Sequence, residues 1–98
     1  MVDGFEWDEA KAQANLRKHG VTFDEASTVF DDSYARVIED PDHSDCEERF
    51  IILGLSIRAR ELVVCHCLRG PDGSTVRIIS ARKATKAESR QYWRYVNA

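Results

Sequence analysis

Three stretches decide the fold: Arg49-Phe50-Ile51-Ile52-Leu53-Gly54-Leu55-Ser56, Glu61-Leu62-Val63-Val64-Cys65-His66-Cys67-Leu68 and Thr75-Val76-Arg77-Ile78-Ile79-Ser80-Ala81-Arg82. Each is rich in strand-favouring residues and bounded by turn chemistry. Arg58-Ala59-Arg60 forms a basic turn between the first two, and Pro71-Asp72-Gly73-Ser74 a turn before the third. Strands that follow one another across short turns pair antiparallel, because parallel pairing needs a long crossover. Tyr34 to Glu39 reads as one more strand ahead of them, followed by an acidic loop over Asp40 to Glu48 that contains Pro41.

Outward from this block the chain reads as helical. Asp8 is a candidate N-cap for a helix to about Lys18, with Gly20 just past its end. Thr22 and Glu25 have capping-box spacing and open a second, short helix from Phe23 to Phe30, which Asp31-Asp32-Ser33 ends. Thr85 and Glu88 repeat that spacing and open a C-terminal helix of about twelve residues. The expectation is an α+β domain with two N-terminal helices, a four-stranded antiparallel sheet and a C-terminal helix. The 98 residues fit a single domain. With 43% hydrophobic and 32% charged residues, collagenous and disordered classes are excluded. No apolar run approaches the ~18 residues of a membrane span, and no signal peptide opens the chain.

The net charge of −3 conceals a division. Residues 1–48 hold 14 acids against 4 Lys/Arg, net −10; residues 49–98 hold 3 acids against 10 Lys/Arg, net +7. Such asymmetry marks interaction surfaces, unless the halves neutralise each other in the fold. The three cysteines, Cys46, Cys65 and Cys67, are an odd number without a secretory signal, so a reducing cytoplasm is expected and a disulfide framework is not. Cys65-His66-Cys67 resembles a metal fragment, but in a strand His66 points away from the two cysteines. Small buried residues are the simpler reading, and no metal is expected.

Several polar positions stand out. In the first helix Asp8, Lys11, Asn15 and Lys18 form a stripe between two apolar arcs, which bonds to the sheet or borders a ligand. His19 follows at the helix end, either as a surface cap or as a titrating group. In the last helix Lys86, Arg90 and Arg94 recur at helical spacing, a solvated face or a phosphate-holding one. Alternation in the last strand puts Arg77 with Ile79 and Ala81, and Arg82 with Val76, Ile78 and Ser80. The two arginines then share a site only if the strand bends or Arg82 reaches round its end. An arginine in an apolar strand is costly unless paired or facing a site, and its fork suits phosphate.

The set Phe5-Glu6-Trp7-Asp8, Lys11, Asn15, Lys18-His19-Gly20-Val21, Phe23, Glu25-Ala26 and Val29-Phe30 resembles the N-terminal half of the BrnT toxin family. Glu48-Arg49, Gly54, Arg77-Ile78-Ile79-Ser80-Ala81-Arg82, Ala84, Glu88 and Tyr92 extend the resemblance to nearly the whole chain. It implies a RelE-like fold with helices on one side of the sheet. It also implies a cytoplasmic type II toxin that cleaves RNA without a metal or cofactor, inhibiting translation and growth. The implied partner is a BrnA-like ribbon-helix-helix antitoxin, with operator DNA bound only through the toxin–antitoxin complex.

Such cleavage needs charge stabilisation and proton transfer. Arg49, Arg77 and Arg82 are the candidates for the first, and His19, Lys18, Glu88 and Tyr92 for the second, with His19 favoured. Glu88 is equally readable as a capping residue and Tyr92 as core. Lys86, Arg90, Arg94, Lys11 and Arg69 are candidate RNA contacts. The alternative is a catalytically inactive antitoxin-binding corepressor module. Direct DNA binding lacks any reader motif.

Overall fold

The computed structural model describes residues 3–39 and 49–98; the expected acidic loop, with His43 and Cys46, lies outside them. In chain order the elements are β1 (Phe5–Glu6), α1 (Glu9–His19), α2 (Phe23–Thr28), a 3-10 turn (Val29–Asp31), β2 (Arg36–Glu39), β3 (Phe50–Leu55), β4 (Glu61–Arg69), β5 (Thr75–Lys83) and α3 (Lys86–Val96). No described helix is long and apolar enough to cross a membrane.

The α+β class and the antiparallel run from β2 to β5 match the sequence expectation, but the sheet has five strands in the order β1-β5-β4-β3-β2 and is mixed. β1 pairs parallel to β5, Phe5 against Val76 and Glu6 against Arg77. A two-residue strand is too short to show alternation, so Phe5 and Glu6 read as the lead-in to a helix. Tertiary contacts place them. The Phe5 ring meets Phe30 edge-on at 5.2 Å, and the Val76 N–H donates to the Gly4 carbonyl at 2.9 Å.

A second correction concerns parity. Cys65 opposes Ser80 while the next residue, His66, opposes Ile78, so Ile79 is an extra residue in β5. Opposed residues in antiparallel strands share a face, and Val63, Cys65 and Cys67 alternate on β4. Arg77 opposes Cys67 and Arg82 opposes Val63. The bulge therefore brings Arg77, Ser80 and Arg82 to one face, although they have mixed parity in the sequence.

The other face is the core. Ile52, Leu62, Val64, Ile78 and Ala81 pack there against Val21, Phe23, Ala26 and Val29. α1 and α2 cover it, and α1 is tied to the free part of the β5 edge by Asn15. The Asn15 amide donates to the Ala81 and Val21 carbonyls at 2.9 and 3.0 Å and accepts from the Ala81 N–H at 3.0 Å. It stands in for the strand partner that β1 is too short to supply. The polar stripe is thus bonded to the sheet at its centre, with Asp8 as N-cap and Lys11 and Lys18 exposed. α3 instead borders the arginine-bearing face, so the helices occupy both sides of the sheet rather than one. Burial of Tyr92 and its hydrogen bond to Asp32, at 2.6 Å, pull α3 to that side.

Local chemistry explains the remaining joints. Thr22 caps α2 through the Glu25 N–H, but the Glu25 carboxylate does not close the box. It is buried against the β3–β4 turn, accepting from Ser56 Oγ at 2.7 Å and from the Arg60 guanidinium. Arg60 holds that carboxyl below its usual range despite burial. Gly54 has no room for a side chain, since a Cβ there would lie 2.9 Å from Ala35 Cβ and Val29 Cγ1. His66 is buried between Phe30 and Phe50, and burial lowers its pKa. Cys67 is buried on the opposite face. No cluster among the described residues could hold a metal ion.

Candidate functional site

The arginine face is built by β5 and β4 and bounded by β1, β2 and α3. Arg77 and Arg82 sit along it about 13 Å apart, four residues of rise measured on β4. Both are held by carboxylates. Arg77 Nη1 donates to Glu6 Oε2 at 2.9 Å, a pair that exists because β1 joins the sheet. Arg82 is bidentate on Glu88, at 2.8 Å and 3.0 Å. This fork is the geometry a guanidinium uses for phosphate as well as for carboxylate.

Glu88 is also the capping-box residue of α3. Its Oε1 accepts from the Thr85 N–H at 2.8 Å while its own N–H donates to Thr85 Oγ1 at 3.1 Å. Arg82 beside it is the largest cause that holds its carboxyl at about 2, against burial that works the other way. In this state Glu88 is ionised and a weak base. Tyr92, one helical turn on, is buried, and burial together with Asp32 pushes its phenol above the ordinary range. Asp32 in turn stays below the usual carboxylate range. Burial opposes its ionisation, but bonds from Tyr92 and from the Leu55 and Tyr34 N–H groups outweigh it. Tyr92 is therefore a brace between α3 and the β2–β3 side of the sheet.

Lys18 and His19 end α1, which runs beside β5. Arg60 reaches the Gly20 carbonyl at 3.2 Å, and Ala84 N–H donates to the Glu61 carbonyl, so this end of α1 lies at the Arg82 end of β5. No hydrogen bond or ion pair among the described residues joins His19 or Lys18 to Arg77 or Arg82. Arg49 is half-buried just before β3, and Arg69 is exposed at the far end of β4. Lys86, Arg90 and Arg94 are exposed on α3, and Lys11 is exposed on α1. Of the candidates, the fold thus brings Arg82, Glu88 and Tyr92 into one corner and sets Arg77 on the same face.

Between the sheet and α3 lies a cleft of about 180 Å³, floored by Ile38, Ile51, Leu53 and Val63 and walled by Arg36, Glu88 and Gln91. Neither Arg36 nor Gln91 stands out in the sequence. Arg36 opens the four-residue strand β2 and carries no motif. Glu6 and Asp32 were likewise invisible as partners, because Arg77 and Tyr92 lie 71 and 60 residues from them. The Asp31-Asp32-Ser33 break was the only local indication that Asp32 mattered.

Comparison with known proteins gives the family and a similar fold. The sequence model of a family described as the ribonuclease toxin, BrnT, of type II toxin–antitoxin systems matches residues 7–88. No curated protein matches the chain. The 1.1 Å crystal structure of the Brucella abortus ribonuclease toxin, BrnT, has a similar fold, with a TM-score of 0.63 and 24% identity over 84% of this chain and 96% of that one. The chain belongs to the BrnT family of ribonuclease toxins of type II toxin–antitoxin systems.

Proposed function

We propose that this chain is an endoribonuclease toxin whose cleavage needs no metal, and that an antitoxin of the BrnA type, a ribbon-helix-helix protein, neutralises it. The observation that supports this best is the β5 bulge, which sets Arg77 and Arg82 on one face. The ribose 2′-OH attacks the adjacent phosphate, the O2′–P bond forms, and the P–O5′ bond breaks. Arginines that stay charged at any working pH stabilise the phosphorane-like transition state. A substrate phosphate takes over the Arg82 fork from Glu88. Release from Arg82 removes the main cause of the low Glu88 pKa, so the freed carboxylate becomes a better base for the 2′-OH proton. His19, at the same end of β5, is the favoured acid for the departing O5′, with Lys18 beside it. Cleavage of cellular RNA then inhibits translation and growth, and the antitoxin complex, not the toxin, binds operator DNA.

Purified protein incubated with RNA in EDTA tests this. The expected result is cleavage that EDTA does not suppress and that falls about 100-fold in Arg82→Ala, the scale of losing one transition-state stabiliser. Arg77→Ala is expected to fall less. Circular dichroism checks that both variants fold. RNA left intact by wild-type protein that still binds its antitoxin identifies an inactive corepressor module instead.

A further inference from the structure

The cleft beside Glu88 continues past the site described. Arg36 and Gln91 line it and also line a second hollow of about 470 Å³ with Arg94 and Tyr95. The two hollows therefore form one groove between β2 and α3, leading from the Arg82–Glu88 pair to the end of the last helix. At its outer end the Arg36 guanidinium lies over the Tyr95 ring, 4.7 Å from the centroid. Tyr95 remains 47% exposed, so part of its ring is open to a ligand.

Charge separates this end from the inner one. Arg77 and Arg82 each face a carboxylate. Among the described residues Arg36 and Arg94 have none. Their positive charge is available to a ligand without breaking an existing pair. A planar cation stacked on a half-exposed ring, beside a second free arginine, is the chemistry that holds single-stranded nucleic acid. Bases stack on aromatic and guanidinium planes while arginines neutralise the backbone. The carboxylates of an acidic peptide would match the same two charges, but they bring no flat ring to stack against Tyr95 and the Arg36 plane, as a nucleobase does.

We infer that Arg36, Tyr95, Arg94 and Gln91 form a nucleobase-stacking subsite for single-stranded RNA, which positions the strand so that a neighbouring phosphate reaches Arg82. This rests on the reading of the arginine face as an RNA-cleaving site. It adds a place for an unpaired base further along α3 from Glu88, against β2. Duplex RNA, whose bases already stack on one another, does not fit it.

The probe is a fluorescein-labelled single-stranded RNA carrying 2′-O-methyl groups, which cannot be cleaved through O2′, with a duplex of the same sequence as control. Fluorescence anisotropy is read for wild type, Tyr95→Ala, Tyr95→Phe and Arg36→Ala, and thermal melting confirms folding. Expected are a preference for the single strand, a loss of about tenfold or more in Tyr95→Ala and Arg36→Ala, and near-wild-type binding in Tyr95→Phe. Unchanged affinity in Tyr95→Ala and Arg36→Ala overturns the subsite even if wild-type protein cleaves ordinary RNA. If wild-type protein binds the probe through Tyr95 yet cleaves nothing, the subsite stands and the ribonuclease reading falls. Loss of antitoxin binding in these variants, with RNA affinity intact, assigns the groove to the antitoxin and overturns the inference.

Discussion

Glu88 shows how one side chain serves both the fold and the candidate site. It caps α3, accepts the Arg82 fork, and is held at about 2 mainly by that arginine. A carboxyl with a lowered folded pKa contributes stability that is complete above its unfolded value, near 4.5, and is lost as the pH falls toward 2. The pair is partly exposed, 29% for Glu88 and 41% for Arg82, so solvent screening reduces its worth to about 1 kcal/mol. Glu88→Gln is expected to lower unfolding stability by about that amount at pH 6 and by much less at pH 3. Urea titrations at the two pH values measure this difference. Equal loss at both would assign Glu88 a purely packing role. The Glu25–Arg60 pair is different in kind. Its carboxylate is buried, so removing Arg60 strands a charge instead of exposing one.

At the scale of elements, α1 and β5 are joined by a side chain that imitates a strand. Asn15→Ala deletes three hydrogen bonds and leaves the Ala81 N–H and two carbonyls in a buried site. The expected cost is about 2–3 kcal/mol, with the Ala81 amide losing hydrogen-exchange protection before the core of β4 does. If Ala81 exchanges no faster in the variant than in wild type, the amide is not what holds this edge. The bulge at Ile79 is the other decisive element feature. Without the extra residue, Arg77 would point to the core face, where neither Glu6 nor solvent could satisfy it.

At the scale of the whole molecule, the sheet separates an apolar face, covered by α1 and α2, from an arginine face bordered by α3. The net −10 and +7 halves do not simply cancel. Glu25 pairs with Arg60 and Glu6 with Arg77 across the division, while Arg36 and Arg94 are left without carboxylates among the described residues. If Arg36, Arg94 and Arg82 each neutralise a phosphate, the logarithm of RNA affinity should fall against the logarithm of salt concentration with a slope of about −2. A titration from low to physiological salt reads that slope. A slope near zero would mean that phosphates are not what this face binds.

The sequence by itself determined the elements whose causes are local. Asp8, Thr22 and Thr85 start their helices as spaced, Gly20 ends the first, and β-rich runs between turn residues gave four of the five strands. The KHGV and RIISAR segments carried the family resemblance, because motif spacing operates within a few residues. Only the tertiary structure decided which face each arginine occupies. Parity along β5 depends on a bulge set by its pairing with β4, and no strand encodes its partner's register. The partners of Arg77, Tyr92 and Asn15 were hidden for the same reason. Glu6, Asp32 and Ala81 lie more than 60 residues, or close to it, away in sequence, and only packing of the whole sheet brings them within hydrogen-bond reach.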